Sequence, residues 1–307
     1  MTYTRVRNQQ LSITFKPVSP SSDTLFSHSK ELFKDIESLL KEKYPNEFYI
    51  KSQEKVGIDF FTKKLIYGEN FTFVKYGDGE IICMIGGTGR NCDDHPYSEK
   101  LGKLLEKSFV KLLRNYDDVY LAEWVDNLVK TRESYVNVNS LNPKFADYEC
   151  FLTLEENMHD DKLLKFYEIL KNSKRKKVFV GPKKLKDVEG MLNIDKFIEV
   201  PLIDAFSKYD DVLKELINYG VDDDNIYILC CSMMSCLICS DLKDINKKIT
   251  LLDIGSGFDP IFSEKTRPKQ PSAEKCFMYY KKVLPSDYKF KKTSHAVNSL
   301  NKMLTNF

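Results

Sequence analysis

A chain of 307 residues, 42% hydrophobic and 30% charged, is long enough for one large or two modest globular domains with a real core, which excludes a wholly disordered protein. Its 47 Lys and Arg against 45 Asp and Glu leave a formal charge of +2, so no global field draws it to nucleic acid or an anionic membrane. The opening MTYTRVRNQQLSITFKPV lacks the apolar stretch of a signal peptide, and no run approaches the ~18 apolar residues of a membrane span; a soluble cytoplasmic protein is expected.

In chain order, residues 24–43 repeat apolar positions at helical spacing (Leu25, Phe26, Leu32, Phe33, Ile36, Leu39, Leu40) and stop at Tyr44-Pro45. GIDFFTKKLIYG predicts a second helix, and FTFVKY a buried strand ending at the glycine-flanked acids Asp78 and Glu80. Residues 98–114 form a third helical pattern with Ser98 as N-cap, and DVYLAEWV and SYVNVNS read as strands. KKVFVG, FIEVP, NIYILCC and KITLLDIG are four further strand-like runs, separated by the helical KKLKDVEGML, AFSKYDDVLKELINYG and MMSCLICSDLKDI. Alternation at this spacing predicts an α/β fold, a doubly wound, mainly parallel sheet flanked by helices, with ligands at the carboxyl ends of the strands. Those ends carry Gly181-Pro182, Pro201 to Ala205, Cys231 to Ser235, and Asp253 to Asp259. TRPKQP reads as a surface loop and TSHAVNSLNKML as a final helix. The expected division is a helical extension over 1–55, a core over 56–262 and a C-terminal extension over 263–307.

Eight cysteines at irregular spacing, four of them in ILCCSMMSCLICS, read as reduced, buried thiols. Cys236-x-x-Cys239 with Cys230 and Cys231 has a zinc-like spacing, but the segment is too apolar for a metal knuckle. The basic run from Lys171 to Lys186 straddles a helix end and a strand start and lacks interleaved aromatics, so it predicts a solvated face and no nucleic-acid partner.

In YGDGE, Gly77 and Gly79 permit a tight turn and close ligand approach. If the segment is extended, Asp78 and Glu80 point to one side, and a divalent cation, Mn²⁺ or Mg²⁺, would relieve their repulsion while binding phosphate oxygens. The bland reading is a polar turn with two solvated acids. Downstream, GGTGR offers backbone amides and Arg90 to a phosphate. Asn91, Asp93, His95 and Tyr97 would share a face of an extended segment, with Asp93 or Asp94 as base or second metal ligand and His95 as a hydrogen-bonding or phosphate-neutralising group. A capping loop before the helix at 98 is the alternative. Asp253-x-Gly255-x-Gly257 after an apolar strand is also how S-adenosylmethionine methyltransferases begin their cofactor site, although there the strand opens the sheet.

FVKYGDGE, VPLIDAFSKYDDVLKEL and ILCCSMMSCLICSDL followed by ITLLDIGSGFDPIF resemble, in order and spacing over residues 60–262, the glycosyltransferases of the GT-D fold, which is Rossmann-like. The resemblance implies that Asp78 and Glu80 hold a metal and the donor diphosphate, flanked by Gly77 and Gly79. It also matches Ala205, Phe206, Tyr209 and Asp210 to a helix start, and Asp253, Ile254 and Gly255 to a closing strand end. Lys75 keeps the charge of the family's basic residue but not its bidentate fork, and Tyr76 replaces Phe. CCSMMSC stands where relatives carry a Gly-Pro-rich loop. The expected activity is metal-dependent transfer of a sugar from a nucleoside diphosphate sugar, UDP favoured, to a hydroxyl of a glycan or glycoprotein. Lys75, Tyr76, Gly77, Gly79, Arg90, Asp204, Ser232, Gly255 and Ser256 are expected at the donor. Asp93, Asp94 and His95 are expected in catalysis, with Glu123 and Asp126 as further candidate bases and Trp124 as a sugar platform or a core residue. The rival expectations are an S-adenosylmethionine-dependent methyltransferase and a catalytically silent nucleotide-binding module.

Overall fold

Strand runs such as FTFV and IYIL carry no polar alternation, which is the pattern of strands covered on both faces. A computed structural model bears this out; it describes residues 2–6, 9–12, 55–123, 129–262 and 269–288. The predicted helices at 24–43 and 293–304, Trp124 and Asp126 lie outside the described residues.

Strands β1 (Thr2–Val6) and β2 (Gln9–Ser12) make an antiparallel pair. The main body runs α1 (Ile58–Ile66), β3 (Thr72–Lys75), α2 (Asp78–Met84), α3 (Glu99–Asn115), β4 (Val119–Glu123), α4 (Val129–Val138), β5 (Lys144–Asp147) and α5 (Lys162–Asn172). It continues through β6 (Lys177–Pro182), α6 (Val188–Leu192), β7 (Lys196–Val200), α7 (Tyr209–Tyr219), β8 (Ile226–Leu229), α8 (Met234–Ile245), β9 (Thr250–Asp253), α9 (Asp259–Phe262) and α10 (Ala273–Tyr280).

The seven strands β3 to β9 form one parallel sheet in the order β5-β4-β3-β9-β8-β6-β7. The chain starts at β3, works outward to β5, crosses to β6 and β7, and returns through β8 to lay β9 beside β3, with Thr72 opposite Leu251 and Phe73 opposite Leu252. The β3/β9 junction is therefore the topological switch point, where an open α/β sheet leaves a crevice at its carboxyl edge.

Alternate residues feed two cores. Val74, Tyr76, Leu121, Val180, Leu229 and Leu251 pack under α2, α3, α7 and α8. Phe73, Ala122, Phe179, Ile228 and Leu252 pack under α1, α5, α6 and α10. In the second core Phe61, Phe71, Phe73, Phe151 and Phe166 form one aromatic layer with neighbouring ring centroids 4.7–5.6 Å apart. Seven cysteines are buried and Cys92 is exposed, none in a disulfide.

One strand prediction is overturned. SYVNVNS lies mostly within α4, where Arg132, Tyr135 and Val136 are buried together; spacings of three and four share a helix face, and the Val-Asn alternation misled. The real neighbour of β4 is the four-residue β5, KFAD, too short to stand out in sequence.

Candidate active site

At the switch point the chain leaves β3 and enters α2 within three residues, so Asp78 and Glu80 lie in a helix and not, as expected, on one side of an extended segment. Successive helical side chains are about 100° apart, which makes positions i and i+2 diverge. Gly-x-x-Glu has capping-box spacing, and first-turn acids suit a helix N-terminus. Gly77 N donates to Glu80 Oε2 at 2.9 Å, and Gly79 N to Asp78 Oδ1 at 2.9 Å. Burial, and then the charge of each acid, raises the phenols of both Tyr97 and Tyr148, so both acids lie near these two rings. Burial, then the charge on Asp253 and that on Asp78, push Glu80 up to about 8.

Asp253, at the end of β9 and 4% exposed, accepts from Lys75 N at 3.1 Å; burial pushes it up to about 6 against the pull of Lys75 and Ser235. The Lys75 ammonium, expected at the donor, is turned into the protein. It donates to Ile254 O at 2.8 Å and lies 5.0 Å from the centre of the Tyr148 ring. Gly255 has φ +60°, and a Cβ there would stand 2.7 Å from Lys75 Nζ. A Cβ on Gly257 would meet Ile254 Cγ2 at 2.5 Å and Phe151 O at 2.8 Å. These glycines serve close packing, so the methyltransferase reading finds no open cofactor cradle at them.

Residues 86–97 form a turn, not the expected extended face. Gly86 N and Gly87 N donate to Cys83 O at 3.1 Å and Ile82 O at 2.8 Å, closing α2, so neither amide is left for a phosphate. Arg90 is exposed and its Nη1 donates to Asp94 O at 2.8 Å. Asn91 Oδ1 accepts from Asp93 N at 3.0 Å and His95 N at 2.9 Å, an Asx turn. Asn91 Nδ2 reaches Ser232 Oγ at 3.0 Å, and a Cβ on Gly79 would lie 3.2 Å from Asn91 Cβ. The loop therefore crosses from the start of α2 to the end of β8.

His95, 7% exposed, ties the loop to the end of β7: Ala205 N donates to its Nδ1 at 3.2 Å. An accepting Nδ1 puts the proton on Nε2, and burial lowers the pKa against the charges of Asp93, Asp204 and Asp94. The lowered pKa and the accepting Nδ1 favour the hydrogen-bonding role over the phosphate-neutralising one. Asp94 and Asp204 both sit at positive φ, +62° and +56°.

The structure brings Lys75, Gly77, Asp78, Gly79, Glu80 and Gly255 to the β3/β9 crevice, Ser232 beside them through Asn91, and Asp93, Asp94, His95 and Asp204 to a second group along the same edge. Tyr76 does not join them: its side chain is fully buried against Phe109, with its hydroxyl 2.7 Å from Ser108 Oγ. Ser256 enters a short 3-10 turn and its carbonyl accepts from Gln270. Glu123 is paired with Lys55 at 2.7 Å. Sequence reasoning missed Tyr148, which follows the overlooked β5, and Arg132, 2% exposed, whose Nη1 lies 3.4 Å from Tyr76 O.

Among the described residues no group of three or more His, Cys, Asp or Glu is arranged to hold a metal ion, which also removes the zinc reading of the cysteines. Asp78 and Glu80 carry hard oxygen donors of the kind a divalent cation takes, one oxygen of each engaged by a backbone N–H of the turn. No described helix is long and apolar enough to cross a membrane.

No protein-family model matches the chain, and no curated protein matches it. The fold is similar to that of a solved structure described as a new glycosyltransferase, domain of unknown function 1792, from Streptococcus sanguinis. The two are 15% identical, with a TM-score of 0.50, over 80% of this chain and 97% of that one. A second structure, described as the highly conserved domain of unknown function 1792 with a distinct glycosyltransferase fold, is 17% identical at a TM-score of 0.48, over 78% of this chain and 92% of that one.

Proposed function

We propose that this chain is a metal-dependent glycosyltransferase that moves a sugar from a nucleoside diphosphate sugar, UDP favoured, to a hydroxyl of a glycan or glycoprotein. The observation that carries the reading is a charge imbalance at the switch point. The charges of Asp253 and Asp78 both bear on Glu80 there, while the buried amine of Lys75 bears on Asp253. A diphosphate entering such a crevice needs added positive charge. Asp78 and Glu80 would hold Mn²⁺ or Mg²⁺, which when bound supplies charge for the leaving diphosphate.

The protein's own groups do the rest. Gly77 and Gly79 let the Tyr148 hydroxyl and Asn91 pack against the turn that carries the acids, and the Asn91 to Ser232 bond fixes the loop beside it. His95 presents its Nε2 proton as a neutral hydrogen-bond donor. Asp93, half-buried beside His95, takes the proton of the attacking hydroxyl. The similar fold of the streptococcal structure supports this reading.

The test is hydrolysis of UDP-, GDP- and dTDP-sugars with Mn²⁺ or with EDTA. Release of one nucleotide that needs the cation and disappears in Asp78→Asn and Glu80→Gln is expected. Release that persists in EDTA, or in both variants, would remove the role given to the pair.

A further inference from the structure

We infer that Tyr148, in the turn after β5, is the residue that positions the Gly77–Glu80 turn for the cation and the donor phosphates, an inference that rests on the function proposed above. Its hydroxyl occupies space that any side chain at Gly77 would need. A Cβ on Gly77 would stand 2.9 Å from the phenol oxygen and 3.4 Å from Glu80 Oε2. Both oxygens therefore border one small volume above the Gly77 Cα, which is what fixes glycine at a position whose φ of −78° any residue could adopt.

The same ring does a second job. The Lys75 ammonium lies 5.0 Å from its centre and donates to Ile254 O at 2.8 Å, so the ring and that carbonyl both hold the amine. Tyr148 thus borders both the buried amine of β3 and the turn that carries the acid pair. A protonated phenol beside carboxylates acts as a hydrogen-bond donor that orients them.

The experiment uses full-length wild type, Tyr148→Phe, Gly77→Ala and the double variant, with Mn²⁺ and UDP as probes. Electron paramagnetic resonance of Mn²⁺ titrated in the presence of UDP should show about tenfold weaker binding in Tyr148→Phe, the scale seen when a group orienting a metal ligand is lost, with an unchanged melting midpoint. Gly77→Ala should lower the midpoint, and removing the Tyr148 hydroxyl in the double variant should restore part of it. Unchanged Mn²⁺ and UDP affinity in Tyr148→Phe would overturn the inference. So would the absence of any recovery in the double variant, a readout that needs no ligand and decides the matter even if wild type binds no Mn²⁺ with UDP, the result that would overturn the functional reading itself.

Discussion

The two edges of the central sheet handle charge in opposite ways. At the amino edge several cations meet a carboxylate, while Lys177, 3% exposed, donates to the Ser173 and Arg175 carbonyls. Lys243, fully buried, donates to Asp118 at 2.5 Å and to Lys247 O at 2.8 Å. Arg175 reaches Asn70, the Asp224 carbonyl and Thr250, while Lys248 meets Asp223 and Lys176 meets Asp222. At the carboxyl edge the charges of Asp253 and Asp78 bear on the buried Glu80, and the buried amine of Lys75 donates to Ile254 O and bears on Asp253. Matched charges hold a fold together, whereas carboxylates left in conflict cost stability and mark where a ligand is to complete the set.

The contrast is broken most directly at the amino edge. Lys243→Ala should destabilise the protein by about 3 kcal/mol, the low end for a broken buried pair because Asp118 is 32% exposed, and should leave nucleotide affinity intact. Urea unfolding alongside a binding titration checks both halves. Gly255→Ala places a Cβ at positive φ and 2.7 Å from Lys75 Nζ, and should cost about 2 kcal/mol while also weakening nucleotide binding, since it displaces the amine from its carbonyl. Equal affinity in that variant would detach Lys75 from the site.

Acidification sharpens the comparison. The folded protein holds His95 below its usual 6.5 because burial disfavours the charged ring, and Nδ1 is already an acceptor. The unfolded chain therefore binds the proton first as pH falls below 6.5. This group's contribution to stability is complete above that value and is lost as pH falls through the depressed pKa. Between pH 7.5 and 5 the raised Glu80 and Asp253 carboxyls take up protons in the folded protein and shift stability the other way, so the expected outcome is a difference: the urea midpoint of His95→Gln should rise relative to wild type as pH falls, and parallel slopes would exclude His95 as a contributor. The smallest expected effect is Ser232→Ala, which removes the acceptor of Asn91 and should cost about 1 kcal/mol with a larger proportional loss in nucleotide affinity than in stability.

Much of this arrangement was legible in the residues. Apolar runs ending at Lys75, Cys231 and Asp253 located the strands and their carboxyl ends, because a sheet covered on both faces needs continuous hydrophobic segments. The acid pair was legible as a motif but not in its geometry: Gly77-x-x-Glu80 carries a helix-start signal that competes with extension after a strand. Tyr148 was hidden because β5 presents only Phe145 and Ala146 to the core. Arg132 was hidden by the Val-Asn alternation beside it. The engagement of Lys75 with Ile254 O joins residues far apart in the chain, so local pattern does not reveal it.

Under the proposed function the carboxyl edge takes a cation and a diphosphate together. Isothermal calorimetry of UDP with wild type and Asp78→Asn, each with Mn²⁺ and with EDTA, tests it most directly. The account predicts binding to wild type only with Mn²⁺, and loss of that binding in Asp78→Asn without loss of folding. Equal binding in EDTA, or undiminished binding by Asp78→Asn, would contradict it.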